Sequence, residues 1–392
     1  MKRLGVLSLV FDNYGTRLQS YALFKVLKTI VDDDYSIEFI NIENTWNPRN
    51  EKNVFLKLIY RKLKSYGLYG LYKSYELCKW FVESKKIRKN LNIRKLNDER
   101  HSLFKHIISL IPYTKQFYTC QSIRDGKLPN YDTIIVGSDQ VWNGKKIGNQ
   151  DVYMLDYTKQ AKCLTYAASF GMTHIPTSDY KKRINNFSSL LIREQSGVDL
   201  CKKLGRSDAK LVLDPTLLLE SSDYDKDFSN SEINLSYDYV LVYSLNYSYK
   251  IYTEALAFCK KNHCKLVVLK RSICPPKFNN QEDLVKEYFA ATPDAFINLI
   301  RNAKLVITNS YHAMLFSIIY RKDFYLYLDN SDEENSRLLT VIKLLKLNQN
   351  VFWESEHIPH CIRKTDYSDA EKILILERQK SIDLLKESIG NA

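Results

Sequence analysis

The stretches Asp132–Trp142, DTIIVGSDQVW, and Lys304–Met314, KLVITNSYHAM, decide the fold. Each is an apolar run that ends in small polar residues and leads into a segment of helical character. Short continuous apolar runs suit strands buried on both faces of a parallel sheet. In such sheets ligands bind beyond the carboxyl ends of the strands. One such mouth in each half of the chain predicts two Rossmann-like, doubly wound α/β domains facing a cleft.

Alternation of strand and helix extends outward from both stretches. In the first half, residues 4–11 (LGVLSLVF) read as a strand, Asp12 to Gly15 as a turn, and Thr16 to Ile30 as a helix with Leu18, Ala22, Val26 and Ile30 on one face. Further strands are expected at Tyr35–Ile42, Ala161–Ala168 and Ala209–Leu213, with helices at Tyr180–Leu191 and Ser196–Leu204. Residues 221–236 are polar and aperiodic, and mark the domain boundary. Beyond it, strands are expected at Tyr239–Tyr243, Lys265–Leu269, Leu305–Thr308 and Phe324–Leu328. Helices are expected at Tyr249–Asn262, after the cap Thr292-Pro293, at His312–Tyr320, at Asn335–Leu347 and from a capping box at Ser368 to Glu371. The organisation is thus an N-terminal domain over 1–220 with a basic helical insertion at about 51–118, and a C-terminal domain over 237–392 whose last helix can pack back on the first.

Composition narrows the function. A chain of 392 residues with 45% apolar and 26% charged residues builds ordinary globular cores, and 12 Gly and 9 Pro leave no long flexible linker. No apolar run approaches the roughly 18 residues that span a bilayer. Leu4–Phe11 stops at Asp12 without a small-residue cleavage site, which fits a first strand rather than a signal peptide. The eight cysteines are scattered without a CxxC pair, as expected of reduced cytosolic thiols. Of the net charge of +13, residues 51–100 carry +9, from 14 Lys and Arg against 5 acids. This local excess argues against a uniformly nucleic-acid-binding surface, and the segment matches no nucleic-acid module. Its basic residues interleave with Phe55, Leu56, Tyr60, Leu63, Trp80 and Phe81. Such a pattern fits either packing on the domain's own core or peripheral contact with an anionic membrane surface.

The strand mouths hold the candidate chemistry. His312 stands just past a strand, where an imidazole can exchange a proton near neutral pH. Ser138, Asp139, Gln140, Trp142 and Asn143 group a carboxylate, amides and an indole suited to a hydroxyl-rich ligand, unless they only cap a helix. Arg193 follows an expected helix, a place where arginines are usually solvated, and Arg337 opens a helix where a guanidinium can clamp an anion. Asp214, before Pro215, reads as a turn former. His357, His360 and Cys361 fit no zinc spacing. There is no P-loop and no GxGxxG, and glycine is absent from 206 to 389, which disfavours a nucleotide held by glycine-rich backbone in the second half.

The ordered set NYGTRLQSYAL (13–23), YDTIIVGSDQVWN (131–143), YAASFG (166–171), IREQSG (192–197), LDPTLLL (213–219), ITNSYHAMLFSIIYRKDF (307–324) and NSRLLTVIKLLKL (335–347) resembles the polysaccharide pyruvyl transferases. The resemblance implies a GT-B-like domain pair and transfer of pyruvate from phosphoenolpyruvate to two hydroxyls of a saccharide acceptor, free or lipid-linked, in the biosynthesis of capsule or exopolysaccharide. His312 matches the family histidine, and Arg193 the arginine of its V-R-[DE] motif. Where many members have glycine after the histidine this chain has Ala313, and where some have arginine two residues before it this chain has Ser310. The candidate site is therefore His312, Asp139 and Glu194 for proton transfer, with Arg193, Arg337, Ser310, Asn309, Asn13, Tyr14, Gly15, Ser138, Gln140, Trp142 and Asn143 for binding. No step needs a metal or a cofactor beyond phosphoenolpyruvate as co-substrate. The implied location is cytoplasmic, at the inner face of the membrane if the basic segment docks there. A GT-B glycosyltransferase using a nucleotide sugar is the competing reading, since one two-domain cleft serves both.

Overall fold

The computed structural model describes residues 1–43, 45, 99, 101–158, 161–174, 179–245, 249–270, 283–288, 291–328 and 332–390. The helical and membrane-docking readings of the basic segment 51–100 rest almost wholly on residues outside this set.

Two six-stranded parallel sheets form the frame. The first contains β1 (Lys2–Leu7), β2 (Tyr35–Phe39), β3 (Thr133–Val136), β4 (Lys162–Ala168), β5 (Ser189–Ile192) and β6 (Lys210–Leu211), in the order 2-1-3-4-5-6. The second contains β7 (Tyr239–Tyr243), β8 (Lys265–Leu269), β9 (Val285–Tyr288), β10 (Leu305–Thr308), β11 (Phe324–Leu328) and β12 (Val351–Trp353), in the order 12-11-10-7-8-9. The central strands TIIV, YVLVY and LVIT are buried at every residue, because helices cover both faces. In each sheet the winding reverses once, between β1 and β3 and between β7 and β10. Those two switch points are where doubly wound sheets open a crevice.

The helices that matter for the site are α1 (Tyr14–Ile30), α2 (Gln195–Lys203), α3 (Ser221–Asp227), α4 (Pro293–Asn302), α5 (Tyr311–Ile319), α6 (Asp332–Leu344) and α7 (Ser368–Gly390). One apolar cluster runs continuously from the first unit to the second, through Leu18 and Tyr21 of α1, Leu217, Phe296 of α4, Phe316 of α5 and Leu385 of α7. Separate clusters back the outer face of each sheet. The two units are therefore welded by a buried apolar seam. Tyr14 strengthens it: its ring stacks on Phe296 at 4.6 Å, and its hydroxyl donates to Ala291 O at 2.9 Å. The last helix lies against the first sheet, where Ser381 Oγ accepts from Leu213 N at 3.0 Å and Ser388 meets Ser189 at 2.7 Å.

Several sequence expectations need correction. The helix expected over Tyr180–Leu191 ends at Arg183, passes through a 3-10 turn at Ile184–Asn186, and gives way to β5. A four-residue apolar run such as SLLI has no periodicity to separate it from a helix. The polar stretch after Ser221 begins with α3, opened by a capping box between Glu220 and Asp223, and the stretch buries Tyr224, Phe228 and Ile233. Edge strands β9 and β12 escaped notice because they are short and partly exposed. The last helix starts at Ser368, but Asp366 accepts from the Ser368 amide, and Glu371 pairs with Arg321 instead of completing a box. Among the described residues no helix is long and apolar enough to cross a membrane.

Candidate active site

The residues beyond both switch points meet. After β1, Asn13 caps α1 by accepting from Gly15 N at 3.0 Å. After β10, Ser310 caps α5 by accepting from Ala313 N at 3.4 Å, and Asn309 Oδ1 accepts from Leu245 N at 2.8 Å. These caps start two helices whose first turns face each other, Gly15 against His312. The approach is close enough that a Cβ on Gly15 would lie 1.9 Å from His312 Nδ1.

Arg193 is the centre of the arrangement, and it is not the solvated residue that a place after a helix suggests. It follows β5, and its side chain is fully buried. Its Nη1 donates to Asp214 Oδ2 at 2.9 Å and its Nη2 to Asp139 Oδ1 at 3.2 Å. Asp139 also accepts from Thr16 Oγ1 at 3.0 Å and from its neighbour's amide, Gln140 N, at 2.9 Å. Burial alone would raise the pKa of Asp139, but Arg193, His312 and Arg337 outweigh burial and hold it at about 2. A carboxylate so stabilised as an anion is a weak base, and in this structure Asp139 is the partner of Arg193.

Two guanidiniums lie over the Tyr311 ring. The Arg193 carbon lies 4.6 Å from the ring centre, and that of Arg337 5.6 Å. Arg337, on α6, is partly exposed, and Gln140, with its amide oxygen turned toward it, accepts from Arg337 Nε at 2.9 Å. That contact again joins the two units. Both Nη groups of Arg337 also lie within 3.0 Å of that amide oxygen, so Arg337 is held by a neutral partner, whereas Arg193 is held by two carboxylates. Glu194 is fully buried, and its Oε1 accepts from Ser169 Oγ at 3.0 Å, Phe170 N at 2.8 Å and Gly171 N at 3.0 Å. Only its Oε2 is left for proton chemistry. Burial lowers the pKa of His312, with Asp214 and Asp139 opposing and Arg193 and Arg337 assisting.

Among the described residues, the buried polar atoms without a hydrogen-bonding partner include Ser138 Oγ, Arg193 Nε, Glu194 Oε2, Tyr311 Oη and His312 Nε2. Buried polar atoms are normally satisfied, so each open one here calls for a partner, either a ligand or a neighbour that moves in when a ligand binds. None of the described residues form a group of three metal-ligating side chains.

The family model for polysaccharide pyruvyl transferase matches residues 13–332, a span that holds both switch points except β1 itself. The chain belongs to the polysaccharide pyruvyl transferase family. Among solved structures, this transferase is similar to the UDP-GlcNAc 2-epimerase of Methanocaldococcus jannaschii, with a TM-score of 0.49 at 10% identity over 95% of this chain and 99% of that one. It is also similar to the UDP-N-acetylglucosamine 2-epimerase of Rickettsia bellii (TM-score 0.48, 9% identity, 99% and 98% covered) and to MurG of Acinetobacter baumannii (0.43, 8%, 100% and 100%). No curated protein matches the chain.

Several residues expected to bind substrate in the transferase have structural partners instead. Trp142 is fully buried against Phe170 and Phe187, and its Nε1 donates to Tyr153 O at 3.1 Å, so its face cannot cover a sugar ring. Asn143 Oδ1 accepts from Lys145 N and Lys146 N, both at 3.1 Å, and closes a turn. Tyr14 belongs to the seam. Trp142→Ala is expected to lower the stability of the transferase by about 3–5 kcal/mol, read as a fall in the urea midpoint. An unchanged midpoint would return the indole to the surface. Thr16, Tyr311 and Asp214 were not chosen from sequence. Asp214 had a visible signal, an acid at the end of a strand, but a position before proline reads more simply as a turn.

Proposed function

We propose that this chain transfers the pyruvate of phosphoenolpyruvate onto two hydroxyls of a saccharide, forming a cyclic ketal and releasing phosphate, in surface polysaccharide synthesis. The observation that carries the proposal is His312, buried beside two arginines and open polar atoms at the junction of two switch points. Phosphoenolpyruvate brings a phosphate and a carboxylate. Arg337, partly exposed and held by the neutral Gln140 amide, would exchange that partner for the anion, and the buried Arg193 adds field. The arriving anion, together with Asp214 and Asp139, draws a proton onto His312.

The imidazolium then gives that proton to the methylene carbon, C3, while a sugar hydroxyl adds to C2 and its proton passes to His312. The C2–O bond to phosphate breaks, leaving an oxocarbenium that the second hydroxyl closes into the ketal. One hydroxyl proton ends on C3 and the other leaves with phosphate, so the step balances. Neither transfer calls for a Lewis acid, and turnover is expected to survive chelation by EDTA.

The test is release of inorganic phosphate from phosphoenolpyruvate across a panel of free and lipid-linked saccharides. Release should depend on the acceptor. In heavy water the ketal methyl should carry one deuterium. Release of a nucleoside diphosphate from a sugar nucleotide, with phosphoenolpyruvate untouched, would favour the glycosyltransferase reading.

A further inference from the structure

Asp214 stands between the two groups on which the site depends. It ends the segment after β6 and is fully buried. Its Oδ1 accepts from Thr216 N at 3.0 Å and from Thr216 Oγ1 at 2.8 Å, which fixes the plane of the carboxylate. Its Oδ2 accepts from Arg193 Nη1 at 2.9 Å and lies 3.8 Å from His312 Nε2. That nitrogen is buried and has no hydrogen-bonding partner. The opposite nitrogen, Nδ1, faces Gly15 at the start of α1. The charged groups around the ring are Asp214, Asp139 and Arg193 from the first unit and Arg337 from α6, with Tyr311 edge-on at 5.2 Å.

We infer that Asp214 is a positioning residue that holds the Nε2 side of His312 while bracing Arg193, and so assigns proton exchange with the substrate to Nδ1, above Gly15. A carboxylate facing one imidazole nitrogen favours the tautomer with hydrogen on that nitrogen and leaves the lone pair on the other. A separation of 3.8 Å is longer than a hydrogen bond, as is common in unliganded sites that tighten on binding substrate. One oxygen thus ties the orientation of the proton carrier to that of the buried arginine. The catalytic consequence rests on the proposed pyruvyl transfer. The tautomer does not.

The test is long-range ¹H–¹⁵N NMR of the full unliganded chain labelled at histidine, with the His312 signal assigned by its loss in His312→Gln. Above its titration midpoint, wild-type His312 should carry its hydrogen on Nε2. Asp214→Asn should abolish that preference and lower the midpoint by about one pH unit, since an opposite charge that favoured the imidazolium is gone. Turnover with phosphoenolpyruvate should fall by roughly 10²-fold or more. If Asp214→Asn does not fold, Thr216→Val keeps the charge, removes one of the bonds that orient it, and should shift the midpoint in the same direction by less. Hydrogen on Nδ1 in the wild type, or an unmoved tautomer and midpoint in the variant, overturns the inference. Absence of phosphoenolpyruvate turnover in a wild type with hydrogen on Nε2 would instead overturn the pyruvyl transfer and leave the positioning role standing.

Discussion

Arg193→Met is expected to destabilise the folded chain by about 3–5 kcal/mol at neutral pH, the cost of breaking a buried ion pair by removing one partner. The cause is the pair of carboxylates left behind. Asp139 and Asp214 both bond to Arg193, and Asp214 is inaccessible to solvent. Without the guanidinium each loses its buried cationic partner and keeps hydrogen bonds from Thr16, Gln140 and Thr216 and the more distant charge of Arg337. The pH dependence identifies the mechanism. In the wild type Asp139 titrates at about 2, below its ordinary 3.8. A depressed carboxylate contributes stability that is fully present above the unfolded pKa and is lost as pH falls from near 4 toward 2. The variant lacks that contribution, so the gap between the two proteins should narrow over the same window. Urea titrations at pH 7 and at pH 3 check both statements. A constant gap would mean that Arg193 acts through packing alone. Arg193→Lys should recover little, because one ammonium cannot reproduce two divergent bonds to two acids.

The second large effect is expected from a single methyl group. Gly15→Ala keeps a backbone that alanine adopts readily, since Gly15 lies in the first turn of α1. Yet its Cβ would lie 1.9 Å from His312 Nδ1 and 2.3 Å from Cγ, so the imidazole must leave its place. Turnover in the proposed reaction should fall by roughly 10²-fold or more, as in His312→Ala, because both changes remove the proposed proton-transfer group. Thermal unfolding should show Gly15→Ala folded. The double variant should be little worse than either single one, since the two acts are not independent. Additive losses would show that Gly15 serves the reaction by another route, such as direct approach of substrate to the α1 backbone.

Much of the frame was legible because its signals are local. TIIV, YVLVY and LVIT announce buried strands by composition, and Thr292-Pro293 announces the start of α4 by cap chemistry alone. His312 was legible because the end of a parallel strand is a privileged place whatever surrounds it. Arg193 was recognised by its motif but misplaced in its setting, since SLLI carries no period and only pairing with β4 and β6 makes it a strand.

The amino-acid sequence by itself determined two doubly wound units, their strand mouths, and the histidine and arginine strings that place the chain in its family. Only the tertiary structure decided which side chains work together. The apolar seam through Tyr14, Phe296 and Phe316 brings the two mouths into contact, and that contact sets Gly15 against His312, Gln140 against Arg337 and Tyr311 against Arg193. It also set Trp142 in the core and Asp214 beside the imidazole. The physical reason is range. Strand and cap preferences act over a few neighbouring residues, whereas the charge balance around Arg193 joins residues 139, 193 and 214, which only folding brings within 3.2 Å of one guanidinium.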